Sequence, residues 1–135
     1  MALTKKLTIK VNGKKSTLSK KVYLYLGDGG ITLNIEILEN DTNMVVETGA
    51  VRATVCILTA ANKVVYDRTC GITNGLIDFE LTTEFINEIA EEGTHLLQIH
   101  LFDAPDESAN RYTIPPVSLT LLKPICDIAS DPDTP

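Results

Sequence analysis

The chain has 135 residues, a net charge of −6 and 44% hydrophobic residues. That length suits one domain, and a chain of this size buries roughly two-thirds of its extended surface, enough for a true core. Trp is absent and only seven residues are aromatic, so Ile, Leu and Val must fill the interior, and the β-branched ones favour pleated surfaces.

Charge is spread unevenly. Residues 1–21 hold seven lysines (Lys5, Lys6, Lys10, Lys14, Lys15, Lys20 and Lys21) and no acid, which leaves −13 for the rest of the chain (−6 minus +7). A lysine cluster can bind nucleic acid, but an acidic remainder repels phosphate. The expectation is a lysine-studded edge hairpin that discourages edge-to-edge pairing, with no nucleic-acid partner. Three cysteines cannot pair completely, so no disulfide framework follows. The start, Met1 to Lys6, has no apolar run of signal length, and no stretch approaches the ~20 apolar residues of a membrane span. Synthesis in a reducing cytoplasm, without a membrane partner, is the simplest reading.

In chain order, Leu7, Ile9 and Val11 alternate with Thr8 and Lys10; Asn12-Gly13 turns the chain, and Lys14 to Leu18 returns as a short strand. Lys21 to Leu26 is the next strand, ended by Gly27-Asp28-Gly29-Gly30. That glycine run lacks the Lys-Ser/Thr pair of a phosphate loop and reads as a turn. Ile31 to Leu38 alternates cleanly, with Ile31, Leu33, Ile35 and Ile37 on one parity and Thr32, Asn34 and Glu36 on the other. A polar turn at Glu39 to Asn43 leads to a short extended piece at Met44 to Val46 and a bend at Gly49. Three strands then follow with short turns between Ala50 and Leu81. Val51, Ala53, Val55 and Ile57 share one face, and Asn74-Gly75 supplies the two positive-φ residues of a type I′ turn.

After Leu81 the period changes. Thr82 or Thr83 can cap a helix, Glu84 sits in its first turn, Phe85, Ile86 and Ile89 form an apolar face, and Gly93 suits the C-terminal end. The spacing predicts a crossover helix over Thr83 to Glu92. Thr94 to Asp103 is a strand with Leu97, Ile99 and Leu101 inward. A polar loop follows at Ala104 to Asn110, then Pro115-Pro116 as a strand start or edge, then a last strand with Val117, Leu119 and Leu121 alternating. Residues 1–123 thus predict an all-β, two-sheet antiparallel β-sandwich of immunoglobulin-like architecture with seven to nine strands and one short helix, residues 1–20 being its lysine-rich hairpin. Residues 124–135 read as an acidic, proline-punctuated tail or linker. Ile35, Val55, Ile57, Phe79 and Ile99 are the expected core.

The polar residues give little chemistry. His95 and His100 are five apart on one strand, so they point to opposite faces and cannot share a metal. Cys56 and Cys70 lie on strands expected to pair; only a shared face would allow a bond, and free thiols are expected. Asp28, Asp41, Asp103 and Asp106 fall in turns, where aspartate has a local hydrogen-bonding role. Tyr23, Tyr25 and Tyr112 are the only basis for a sugar-stacking platform. No catalytic residue, cofactor or metal site is expected.

From Lys21 to Leu122 the order of small motifs resembles the N-terminal domain of phage upper baseplate proteins, found in tailed phages and prophages of Gram-positive bacteria. The likeness runs through Leu26-Gly27-Asp28, the alternating strand Ile31 to Leu38, and Thr48-Gly49-Ala50-Val51. It continues through Ala53 to Leu58, Lys63-Val64-Val65-Tyr66, the Thr-Asn-Gly turn before Ile77 to Leu81, Leu96 to Phe102, and Pro116-Val117-Ser118-Leu119-Thr120. The resemblance implies a non-enzymatic virion component, assembled in the host cytoplasm, that docks to other tail proteins such as a distal tail protein and a receptor-binding protein. It is also compatible with a homo-oligomer. In that family C-terminal regions trimerise and carry receptor-binding proteins, which implies that these residues are either part of a longer protein or a stand-alone version. The alternative class is a carbohydrate-binding module that recognises the host cell surface.

One strand suggests the docking surface. With Leu97, Ile99 and Leu101 inward, the outward row of Thr94 to Asp103 is Leu96, Gln98, His100 and Phe102, with no Asp, Glu, Lys or Arg among them. A partly apolar outer row is either covered by the helix Thr83 to Glu92 or the loop Ala104 to Asn110, or is a partner site with Leu96, His100 and Phe102 as candidate contacts and Phe102 as anchor.

Overall fold

Alternating apolar residues drive ten strands among the described residues, which in this computed structural model are 3–20, 23–26, 30–85 and 91–123. In order they are β1 (Leu3–Asn12), β2 (Lys15–Leu18), β3 (Tyr23–Tyr25), β4 (Ile31–Glu39), β5 (Thr42–Asn43), β6 (Arg52–Thr59), β7 (Val64–Thr73), β8 (Leu76–Leu81), β9 (Gly93–Phe102) and β10 (Arg111–Leu122). One helical turn, α1 (Met44–Glu47), follows β5.

The strands form one sheet in the order β2-β1-β4-β8-β7-β6-β9-β10-β3, with β5 attached to β4. The expected all-β class stands, but the two-sheet antiparallel sandwich is corrected to a single curled sheet of mixed direction. Two facts cause this. β7 pairs with β6 from Val64 to Gly71 and with β8 through Ile72 and Thr73, so it joins what would otherwise be two sheets. β1 runs parallel to β4, and β3 parallel to β10, so both ends of the sheet depart from antiparallel order. The curl closes both halves around one core.

That core follows the alternation. Ile35, Val55, Ile57, Phe79 and Ile99 are each at most 1% exposed, and Leu7, Ile9, Leu33, Leu97, Leu101, Leu119 and Leu121 join the same cluster. Where β7 leaves β8, Tyr66 fills the opening. Its ring centroid is 4.4 Å from that of Phe85 and 5.9 Å from that of Phe79, and its hydroxyl donates to the Glu80 carbonyl at 2.8 Å. The freed edge of β8 is thereby partly satisfied.

Turn chemistry accounts for the remaining differences. Asn74 and Gly75 have φ of 53° and 77°, as the type I′ reading requires. In the first hairpin the turn residues are Gly13-Lys14, because Asn12 pairs with Lys15; only Gly13, at φ 64°, is left-handed. Met44 to Val46 is helical rather than extended. Asn43 caps it, its Oδ1 accepting from the N–H groups of Val45 and Val46, and Val45 packs into the core. Gly49, at φ 71°, makes the bend after it. Pro115-Pro116 lies inside β10, not at its start. The register against β9 shifts between Ile114 and Val117, and that bulge absorbs the missing N–H groups.

Residues 86–90 lie outside the described residues. Of the expected helix Thr83 to Glu92 the start is seen, where Thr82 Oγ1 accepts from the Phe85 N–H at 3.2 Å, but Glu91 and Glu92 are not helical and Gly93 opens β9 instead of ending a helix. The Gly27 to Gly29 turn and the tail 124–135 also lie outside them.

Candidate docking face

The outward residues of β6, β9, β10 and β3 make a broad face whose rows are set by register. Leu58 and Leu96 are neighbours, with Ser118 beyond Leu96; Thr54, His100 and Thr113 share a row; Thr94, Thr120 and Tyr23 share another, and Leu122 sits beside Tyr25. Gln98 lies beside Cys56 near the middle. Charge enters only at one end, where Arg52 and Arg111 flank Phe102, and along the β7 side through Asp67. Among the described residues no element is layered over this face.

Leu96, His100 and Phe102 all point outward, as their parity implies, and all three are half-buried by their neighbours in the sheet. Phe102 has a roof. The Arg52 guanidinium carbon stands 3.9 Å above its ring centroid, a cation–π geometry. The same guanidinium donates to the carbonyls of Ala104 and Asp106 at 3.1 and 3.4 Å, so the loop after β9 ties Arg52 down over the ring. His100 Nδ1 is 2.9 Å from Thr113 Oγ1. Burial, and then the nearby Arg111, hold its pKa below the ordinary 6.5, which favours the neutral imidazole.

The other polar candidates disperse. His95 points inward and is buried, its Nδ1 3.2 Å from the Gly93 carbonyl, so the two histidines do occupy opposite faces. Cys70 pairs with Ala53 on the inner face, whereas Cys56 pairs with Asp67 on the outer one. Both are free thiols. Burial, above all, raises Cys70 to about 11 and also raises Cys56. Asp103 holds both the backbone and the side-chain amide of Asn110, and Asp106 holds Ser108. Those hydrogen bonds lower both carboxyl pKa values and give the aspartates a local purpose. Asp41 serves a turn at φ 64°. Tyr23 and Tyr25 are exposed on the outer face, but Tyr112 pairs with Leu101 on the inner parity, so the three do not form one platform. No group of three or more His, Cys, Asp or Glu side chains gathers among the described residues.

Beside this face lies a cleft of about 480 Å³ between β2 and β10, lined by Ser16, Thr17, Leu18, Tyr23, Ser118 and Thr120 among others, none of them charged. Sequence reasoning found one row of the face and missed its breadth. The signal was present in the second parity of β6, Thr54-Cys56-Leu58, which is equally uncharged; the place of β3 beside β10 left no such trace.

No protein-family profile and no curated protein matches the chain. Among solved structures, the N-terminal domain of phage TP901-1 ORF48 is similar in fold, with a TM-score of 0.64 at 12% identity over 90% of this chain and 99% of that one. CopC from Methylosinus trichosporium OB3b matches more loosely, with a TM-score of 0.45 at 12% identity over 82% of this chain and 90% of that one. The chain thus shares the fold of a phage protein domain along nearly the whole length of both.

Proposed function

We propose that this domain is a non-enzymatic assembly module of a phage tail or baseplate, a virion component that docks to other tail proteins through the outer face of β6, β9, β10 and β3. The observation that carries the reading is the near-complete fold overlap with the N-terminal domain of phage TP901-1 ORF48. The motif resemblance to upper baseplate proteins, which rests on different information, points the same way. The face adds a physical reason. A central region without fixed charge can be desolvated against a partner at little cost, which is how interface centres differ from ordinary surface. The partners in this reading are a distal tail protein and a receptor-binding protein.

The test is a pull-down of the purified domain with the tail proteins encoded beside it, using wild type and Leu96→Asp. Binding that Leu96→Asp removes without unfolding the domain supports the reading; retention of binding excludes this face. A carbohydrate-binding role draws on the exposed Tyr23 and Tyr25 alone. Binding of host-wall polysaccharide by the isolated domain, and of no tail protein, would favour it instead.

A further inference from the structure

The curled sheet does not close. Among the described residues β2 is one end of it, laddered to β1 alone. At the other end, among the described residues, β3 pairs with β10 at Thr120 to Leu122. Residues of β2 and β10 come within 8 Å of each other, Cα to Cα, without forming a ladder. Paired strands sit ~4.8 Å apart, so a strand laddered to both would need ~9.6 Å. The cleft of about 480 Å³ lies in this seam.

The register shows which groups β2 turns toward the seam. Asn12 and Lys15 flank a two-residue turn, and such flanking residues exchange both backbone hydrogen bonds. Hydrogen-bonded pairs alternate, so Lys10 with Thr17 is the next one. The Ser19 N–H donating to the Thr8 carbonyl at 3.0 Å continues the series. Ser16 and Leu18 therefore direct their N–H and C=O groups away from β1, toward the cleft. Ser16 Oγ is also buried, with no hydrogen-bond partner among the described residues. Buried polar groups normally have one.

We propose that β2 accepts an extended segment of a partner protein as an added strand, laddered to Ser16 and Leu18 and resting on the side chains of Ser118 and Thr120. The main-chain groups supply affinity, as in other strand additions. Charge selects the occupant: Lys14, Lys15 and Lys20 are exposed around β2, no acid lies in residues 1–21, and the β10 side of the cleft carries no charge. The incoming segment is thus neutral in its centre, with Glu or Asp at its ends. Lysines on an edge ordinarily repel a second copy of the same edge. Here they keep β2 from pairing with itself while admitting an acid-flanked strand. This site borders the outer face invoked for tail assembly and shares Ser118 and Thr120 with it, but its main-chain partners lie on β2, so loss of strand addition by Ser16→Pro and loss of tail binding by Leu96→Asp are distinguishable.

The experiment titrates the whole chain with two synthetic peptides of alternating Val and Thr, one flanked by two Glu at each end and the other by two Lys. Amide chemical shifts and hydrogen exchange are followed. The expected result is slowed exchange at Ser16 and Leu18 with the Glu-flanked peptide, and at least tenfold weaker binding of the Lys-flanked one. Ser16→Pro deletes one outward N–H while the bonds to β1 remain; it should abolish the effect with the rest of the spectrum unchanged. If Ser16→Pro unfolds the hairpin, Thr17→Lys, which adds charge and bulk at the cleft, should strengthen the Glu-flanked peptide relative to the Lys-flanked one. Slowed exchange elsewhere but not at Ser16 and Leu18, equal affinity for the two peptides, or full binding by Ser16→Pro would each overturn the proposal.

Discussion

The two outer faces of the curled sheet are built from the same alternation yet differ in kind. On the β2-β1-β4-β8 half the outward residues include Lys15, Lys6, Lys10, Glu36, Asp78 and Glu80, with a Lys6–Glu36 ion pair at 3.5 Å. On the β6-β9-β10-β3 half the same positions hold Thr54, Cys56, Leu58, Leu96, Gln98, His100, Thr113, Ser118, Thr120, Tyr23 and Tyr25, with Arg52 and Arg111 only at the Phe102 end. Both faces cover the same core, so burial cannot explain the contrast. A solvated face tolerates charge freely, and surface ion pairs there add ~0–1 kcal/mol at most. A face that loses its water on assembly does not, since an unpaired buried charge costs several kcal/mol. The difference therefore marks the neutral half as the face on which an assembly contact would cost least.

The comparison breaks first if the halves do not share one core. Ile35 in β4 and Val55 in β6 are both 0% exposed. Replacing either by Ala should cost about 2–4 kcal/mol in urea unfolding, in a single transition for both variants. Two transitions, or a loss below about 0.5 kcal/mol at one site, would mean that the halves fold separately.

Adding one charge to each face sharpens it. Gln98→Glu places a carboxylate near the middle of the neutral face, far from Arg52 and Arg111 in the strand order. It should reduce binding of a tail partner at least ~10-fold, because the carboxylate must be desolvated without a pair. Thr32→Lys, opposite Glu80 on the charged face, should leave binding unchanged and stability within about 0.5 kcal/mol. Equal losses from both substitutions would sink the distinction.

A smaller effect separates the inner and outer sides of one strand pair. Cys56 is half-buried on the outer side and Cys70 is buried inside with its pKa raised to about 11. The thiolate is the reactive form, so at pH 8 iodoacetamide should label Cys56 at least ~10-fold faster than Cys70 in the native protein. Peptide mapping by mass spectrometry reads the ratio. Equal rates would show that the β6–β7 register opens on the labelling timescale.

Much of this was legible. The inward parity of β4, β6, β8 and β9 could be read because each strand repeats Ile, Leu, Val or Phe every second residue. The Asn74-Gly75 turn could be read because few pairs accept two positive φ angles. The single curled sheet could not. It depends on how far β7 stays with β6 before turning to β8, and Val64 to Thr73 carries no mark at the changeover. The parallel neighbours β1–β4 and β3–β10 are long-range choices that leave no local pattern. Met44 to Val46 was misread because β-branched residues suggest a strand, whereas the Asn43 cap and the burial of Val45 decide for a helical turn. For the candidate site, one outward row was legible from β9 alone; its union with β10 and β3 needed the sheet order.

The finest distinction concerns His100, whose charge the neutral face suppresses. Burial, and secondarily Arg111, lower its pKa from 6.5. Thr54, Gln98 and Thr113 are its other neighbours in the sheet, and none of them carries charge. A histidine whose folded pKa lies below its unfolded value favours the fold in its neutral form. That contribution is fully present above pH 6.5 and is lost as the pH falls below 6.5 toward the lowered folded value. Because His100 is only half-buried, the stability change should be slight, and partner binding is the more sensitive readout. On the neutral face, protonation should weaken docking between pH 6.5 and 5, while His100→Asn should bind with no pH dependence in that window. A wild-type affinity that stays flat from pH 7.5 to 5 would place His100 outside the contact, and would confine the docking face to the Leu58, Leu96 and Ser118 end.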